Sequence, residues 1–234
     1  MSIVRHRAAC TSRLHQLASL PSILMPQKYD AILFDLLTAL LDSWTVWNRA
    51  AGSDEMGRKW RAEYLKLTYG CGAYRPYETL VAEAAQTVGL GTTDSVNYPG
   101  RLNAAWGDLQ PWPGVDATLA ELKKSHRLGV VTNCSQRLGL QAAARVNVPF
   151  DVIVTSERAG FYKPDPRPYQ LALDELNLPS ARVLFVAGSG FDLFGTSKVG
   201  LDTYWHNRVG LTPPPGAPRP MKESPDISGV LEIV

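Results

Sequence analysis

The chain has 234 residues, 24 Lys+Arg against 22 Asp+Glu, 45% hydrophobic and 20% charged residues, and a formal net charge of +2. That size and balance suit one large α/β domain, or a core with a smaller companion. No Lys/Arg run resembles a nucleic-acid stripe and no apolar stretch reaches the length of a membrane span, so neither partner is expected. Cys10, Cys71 and Cys134 are widely spaced and odd in number, which points to free thiols in a reducing compartment and a cytoplasmic location.

Residues 1–28 read as an N-terminal extension. They contain no Asp or Glu, three arginines (Arg5, Arg7 and Arg13) and several serines. Mitochondrial transit peptides share that composition, so a mitochondrial destination is the alternative. The small number of arginines and the lack of a clear cleavage signal favour a plain extension.

The first strand is "AILF" (31–34), an apolar run that meets a carboxylate at Asp35 and then continues apolar to Asp42. Residues 43–112 hold no good strand run. They carry helical patterns instead, with Met56, Trp60, Tyr64 and Leu67 on one face and Leu80, Val81, Ala84, Ala85 and Val88 on another. "QPWPGV" (110–115) ends this insertion. Helix 114–125, strand "LGVVTN" (128–133), helix 135–147, strand "DVIVTS" (151–156), helix 166–178 and strand "VLFVAG" (183–188) follow. The Pro-rich 211–220 reads as a surface segment before a terminal strand "GVLEIV". Alternating strands and helices define an α/β, doubly wound parallel (Rossmann-like) sheet. Its core spans 29–42 and 113–234, and a helical cap, 43–112, roofs the carboxyl ends of the strands, where such sheets bind ligands.

Those strand ends carry the chemistry. Asp35 ends the first, Thr132, Asn133 and Cys134 the second, Lys163 follows the third, and Ser189 and Asp192 follow the fourth. A buried carboxylate is costly unless a cation and N–H donors hold it ionised, and so held it can serve as a nucleophile.

Asp35 in "FDLLTALLDS", Thr132 in "VVTNCS", Lys163 in "YKPDPRPY" and Asp192 in "VAGSGFD" resemble, in order, the four motifs of the haloacid dehalogenase (HAD) superfamily, from about Tyr29 to the C-terminus. Phosphatases of that superfamily use a second Asp two residues after the nucleophile as general acid. Leu37 stands there and cannot move a proton, so phosphoryl transfer is the minor reading. The metal-independent 2-haloacid dehalogenase type fits better, and "KWRAEY" resembles its Trp-Arg pair, with Arg61 over the site.

The resemblance implies Asp35 attack on C2 of a small 2-substituted carboxylate, an aspartyl ester, and hydrolysis to a 2-hydroxy acid of inverted configuration. It casts Lys163 and Asp192 as the other catalytic residues. Arg61, Thr132, Asn133, Tyr169, Ser189 and Trp47 become the substrate-binding set. No cofactor and no metal are expected, and a homodimer is admitted.

The first motif departs from the subgroup's Asp-x-x-Gly-Thr-Leu: Thr38, Ala39 and Leu40 occupy its last three places. The hydroxyl beside the nucleophile is therefore lost, or moved back to Thr38. This altered motif resembles HAD members that open azetidine-2-carboxylate, whose leaving group is a ring ammonium. Asp42, Trp44 and Trp47, with the two tryptophans three apart on one helix face, would suit that cation. The expectation leans to azetidine ring opening, with (S)-2-haloacid dehalogenation as the alternative. A catalytically silent HAD-fold binding protein is a further, minor one.

Overall fold

A computed structural model describes residues 28–90 and 96–234. Residues 1–27 of the N-terminal extension, with its arginines and Cys10, lie outside the described residues. A six-stranded, wholly parallel sheet runs in the order β3-β2-β1-β4-β5-β6. Its strands are β1 (Ala31–Phe34), β2 (Arg127–Thr132), β3 (Val152–Thr155), β4 (Val183–Ala187), β5 (Asp202–His206) and β6 (Lys222–Ser224).

β1 lies mid-sheet between β2 and β4, and all four of its residues are buried. Its alternate residues enter two cores. Ile32 and Phe34 pack on one face with Val130 and Val186, and Ala31 and Leu33 on the other with Val131 and Phe185. A strand covered on both faces must read as a continuous apolar run, as "AILF" does. Fully burying each such side chain contributes roughly 1.5–3 kcal/mol. The chain order reverses direction about β1, and in doubly wound sheets a crevice opens at that switch point beyond the strand ends.

Between β1 and β2 lie helices α1 (Ser43–Ala51), α2 (Asp54–Gly70), α3 (Tyr77–Thr87), α4 (Tyr98–Ala104) and α5 (Val115–Leu122). Asp42 caps α1 through Thr45 N–H at 3.0 Å, and Gly52, with φ of 84°, ends it in the left-handed conformation. Ser53 then caps α2 immediately. This tight corner turns α2 back along α1, so Trp47 meets Trp60 and Tyr64 with ring centroids 5.0 and 5.5 Å apart. These aromatics belong to the same core cluster as Ile32 and Phe34, so the helical layer and the sheet share one apolar interior.

Helices α6 (Gln136–Ala143), α7 (Ser156–Ala159), α8 (Pro166–Leu176) and α9 (Asp192–Lys198) complete the layers. The four sequence-expected strands match β1 to β4 within a residue or two at their ends. The expected terminal strand is a 3₁₀ turn instead, Ile227–Glu232. Ile227 and Val230 are fully buried, while β6 already occupies the sheet position beside β5. Neither β5 nor the polar β6 carries an aliphatic run, and both are additions to the sequence reading.

Candidate active site

Directly after β1 the backbone enters a π-type turn, Leu36–Leu40, with Asp35 as its N-cap. Asp35 Oδ2 accepts three hydrogen bonds: Thr38 N–H at 2.8 Å, Ala39 N–H at 3.1 Å and the Thr38 hydroxyl at 2.5 Å. The turn is fixed from outside. Trp112 donates its indole N–H to Thr38 O at 3.0 Å, and its backbone N–H to Leu40 O at 2.9 Å. His206, at the end of β5, sits with Nδ1 2.7 Å from Ala39 O, a carbonyl that only accepts, so Nδ1 carries the proton. Gly188, following β4, leaves room for the turn, because a Cβ there would come within 2.2 Å of Ala39 N and Thr38 Oγ1.

Asp35 Oδ1 accepts from Lys163 Nζ at 2.8 Å, and the same ammonium lies 2.9 Å from Asp192 Oδ1. Tyr169 donates its phenol to Asp192 at 2.6 Å. Lys163 arrives from the loop after α7, and Asn133 grips the backbone of that loop at two points. Its Oδ1 accepts from Lys163 N–H at 2.7 Å, and its Nδ2 donates to Lys163 O at 2.9 Å. Ser156 also donates to Asn133 Oδ1 at 2.8 Å.

Burial alone would raise the Asp35 carboxyl, but the Lys163 ammonium and the Thr38 donors outweigh it and hold it below its ordinary value. For Asp192 burial prevails over Lys163 and Asp35 adds repulsion, so its carboxyl sits above its ordinary value. Burial opposes the Lys163 charge, yet the two carboxylates keep it above the ordinary lysine value. Asp35 is thus the firmly ionised member of the group.

Above this floor stands α2. Arg61, Leu65 and Tyr69 recur every fourth residue and share one face. Arg61 is only 8% exposed; it donates to Ser43 Oγ at 3.1 Å, and its guanidinium lies 3.9 Å from the Trp44 ring centroid. Among the described residues it has no carboxylate within salt-bridge distance. Burial lowers its pKa, and the Asp35 charge partly restores it. A cavity of about 240 Å³ separates Arg61 from Asp35 and Lys163.

The expected site residues divide accordingly. Asp35, Arg61, Asn133, Lys163, Ser189 and Asp192 line the cavity. Tyr169 is fully buried behind Asp192 and braces it, outside the lining. Thr132 is also buried outside the lining, with its hydroxyl unpartnered. Trp47 faces Trp60 and Tyr64 inside the helical layer, away from the cavity, and Trp44 lines the site instead. A spacing of three residues therefore splits the tryptophans between site and core.

Of the two alternatives for the hydroxyl missing at Ala39, the second holds: the π-type turn brings the Thr38 hydroxyl onto the nucleophile. Leu65 and Tyr69 were findable from their period with Arg61. Leu211, Thr212 and Pro214, which also line the cavity, had no local signal.

A parallel doubly wound sheet with a lysine-held aspartate at the tip of its central strand defines an α/β protein with a strand-end carboxylate site. Comparison with known proteins gives the family. Residues 32–206 match the haloacid dehalogenase-like hydrolases, and the chain belongs to that family. It is similar to (S)-2-haloacid dehalogenase 4A of Burkholderia cepacia, 29% identical over 197 residues, covering 78% of this chain and 85% of the relative. A dehalogenase solved with an intermediate complex superposes with a TM-score of 0.78 at 26% identity, over 90% of this chain and 99% of that one. The fold is also that of the L-2-haloacid dehalogenase from Xanthobacter autotrophicus with chloropropionic acid covalently bound: TM-score 0.74, 21% identity, 87% and 97% covered.

Proposed function

We propose that the chain hydrolyses (S)-2-haloacids to 2-hydroxy acids of inverted configuration through an ester on Asp35. One observation carries the reading: the two Asp35 oxygens are held differently, opposite a buried arginine that has no carboxylate partner among the described residues. Oδ2 accepts three hydrogen bonds and Oδ1 accepts one, from Lys163. The less encumbered Oδ1 attacks C2 as the carbon–halogen bond breaks and halide leaves with the electron pair. Arg61 grips the substrate carboxylate or receives the halide, and its planar fork suits either.

In the resulting ester, Oδ2 is the carbonyl oxygen. Water adds at that carbonyl, and the oxyanion develops where three donors already converge, the arrangement that most lowers the barrier to acyl transfer. Collapse releases the 2-hydroxy acid, regenerates the Asp35 carboxylate and delivers one proton to solvent. Asp192, with its raised pKa, is suited to accept that proton from water in passing. Asn133 acts by fixing the Lys163 loop, and Tyr169 by fixing Asp192.

Ring opening of azetidine-2-carboxylate has less support. Its premise is an altered first motif, yet Thr38 keeps a hydroxyl on the nucleophile. The Trp44 ring that would face a substrate ammonium is paired with Arg61, and Asp42 is engaged as the cap of α1. Phosphoryl transfer lacks the proton donor, because Leu37 lines the cavity in that position.

The test is incubation without added metal with (S)-2-chloropropionate, L-azetidine-2-carboxylate and p-nitrophenyl phosphate. Chloride release with (R)-lactate is expected from the first. Turnover of either of the others alone would overturn the reading. A single turnover in ¹⁸O-water should label Asp35 and leave the product unlabelled.

A further inference from the structure

The cavity of about 240 Å³ carries a set of apolar side chains at its open end. Its charged residues are deep: Asp35, Arg61, Lys163 and Asp192 are each 8% exposed or less. Among the lining residues that reach solvent, Leu37, Leu65, Phe191, Leu211 and Pro214 give the mouth an apolar wall, beside the polar Asn133, Ser189 and Thr212. Phe191 is 36% exposed, among the most exposed large hydrophobic residues described. A charged pocket with an apolar wall at its mouth is built for a molecule with a charged head and an apolar tail.

That wall is also a fixed structure. Phe191 stacks on Tyr69 with centroids 4.6 Å apart, joining α2 to the loop after β4. Leu211 is tied at both backbone groups to one side chain. Its N–H donates to Asn207 Oδ1 at 2.7 Å, and its carbonyl accepts from Asn207 Nδ2 at 2.9 Å. Pro214 packs so closely on Gly190 that a Cβ there would lie 2.6 Å from its Cδ. Along α2, eight residues separate Arg61 from Tyr69, or about 12 Å of helix.

We infer that the preferred substrates are 2-haloacids with a straight apolar tail extending beyond C3, the tail lying between Leu65 of α2 and Phe191, Leu211 and Pro214. The reaction at C2 rests on the function proposed above; the tail site does not. Each methylene drawn fully from water strengthens binding about fourfold, and the half-open mouth reduces this to about twofold.

Two measurements keep the claims apart. Calorimetric titration with acetate, butyrate, hexanoate and octanoate reads the tail site without chemistry, and bromide release from 2-bromopropionate, 2-bromohexanoate and 2-bromooctanoate reads the reaction. The dissociation constant is expected to fall about two- to fourfold per methylene up to octanoate, with kcat/KM for bromide release rising in parallel. Phe191→Ala and Leu211→Ala should each flatten the ladder. Affinity that is level or falling beyond butyrate overturns the inference even if 2-bromopropionate is turned over, as does a ladder that both variants leave intact. A ladder that persists and flattens in the variants, with no bromide released from any acid, upholds the tail site and overturns the dehalogenase reading instead.

Discussion

Thr38 binds Asp35 twice through one carboxylate oxygen, its backbone N–H at 2.8 Å and its hydroxyl at 2.5 Å from Oδ2. With Ala39 N–H this makes a three-donor cradle for the carbonyl oxygen of an Asp35 ester. Removing one preorganised donor from such a cradle costs about 10²–10³ in rate. Thr38→Val is therefore expected to slow ester hydrolysis about 10²-fold while halide is still released in a first-turnover burst. Thr38→Ser, which keeps the hydroxyl, should restore most of the rate. Rapid-quench measurement of halide against hydroxy acid distinguishes the two steps, and equal slowing of both would show that the hydroxyl serves the attack instead.

Gly188 controls the same cradle from the neighbouring strand. A methyl group there would meet Ala39 N and Thr38 Oγ1 at 2.2 Å, well inside van der Waals contact, and against backbone and a buried side chain. Gly188→Ala is expected to push the turn off Asp35, lower kcat by at least about 10²-fold by loss of the same donors, and destabilise the fold by about 1–3 kcal/mol from overpacking. A thermal melt and a kcat measurement on the variant check both. Wild-type kcat would mean that the turn yields without losing its donors.

β1 to β4 were legible because each carries an aliphatic run, as a strand covered by helices requires, whereas β5 is an interior strand built from Thr203, Tyr204, Trp205 and His206 and β6 is a short polar edge strand, so neither shows such a run. The nucleophile, Lys163 and Asp192 were legible as charges stranded at strand ends. What the sequence hid was turn geometry and rotation about helix axes. A π-type turn has no sequence signature comparable to a cap, so the Thr38 hydroxyl looked one place out of position. Trp44 and Trp47 look equivalent by spacing, but the corner at Gly52 turns Trp47 toward Trp60 and leaves Trp44 beside Arg61. The 211–214 wall depends on Asn207, distant from any motif.

Arg61 separates activity from stability. It is a buried cation whose polar partner is a neutral hydroxyl, Ser43, and among the described residues no carboxylate forms a salt bridge with it. Replacing a buried charge with an apolar side chain of similar volume is often neutral or stabilising by roughly 1–4 kcal/mol. Arg61→Leu is expected to match or exceed the wild-type melting temperature while kcat/KM for (S)-2-chloropropionate falls by about 10²-fold or more, the loss of a charge-assisted grip worth about 3 kcal/mol. Arg61→Lys should recover little, because an ammonium cannot span both carboxylate oxygens. A melting temperature that drops together with activity would mark Arg61 as a structural residue.

The pH dependence of stability tests the charge assignment at the nucleophile. Asp35 has its folded pKa below the unfolded value, held there against burial by Lys163 and Thr38. Its contribution is therefore fully present above the unfolded carboxylate value of about 3.9 and is lost only as pH falls through the lower folded value. Asp192 has the opposite sign. Its folded pKa is raised, partly by Asp35, so it takes up a proton in the fold before it would in the unfolded chain, and this favours the fold as pH falls toward the unfolded value. The difference in melting temperature between wild type and Asp35→Asn should accordingly hold or widen from pH 7 to about pH 4, then shrink below it. Calorimetric scans of both proteins across that range provide the measurement. A difference that shrinks between pH 7 and 5 would mean an Asp35 carboxyl raised by burial, protonated too readily to attack carbon at neutral pH.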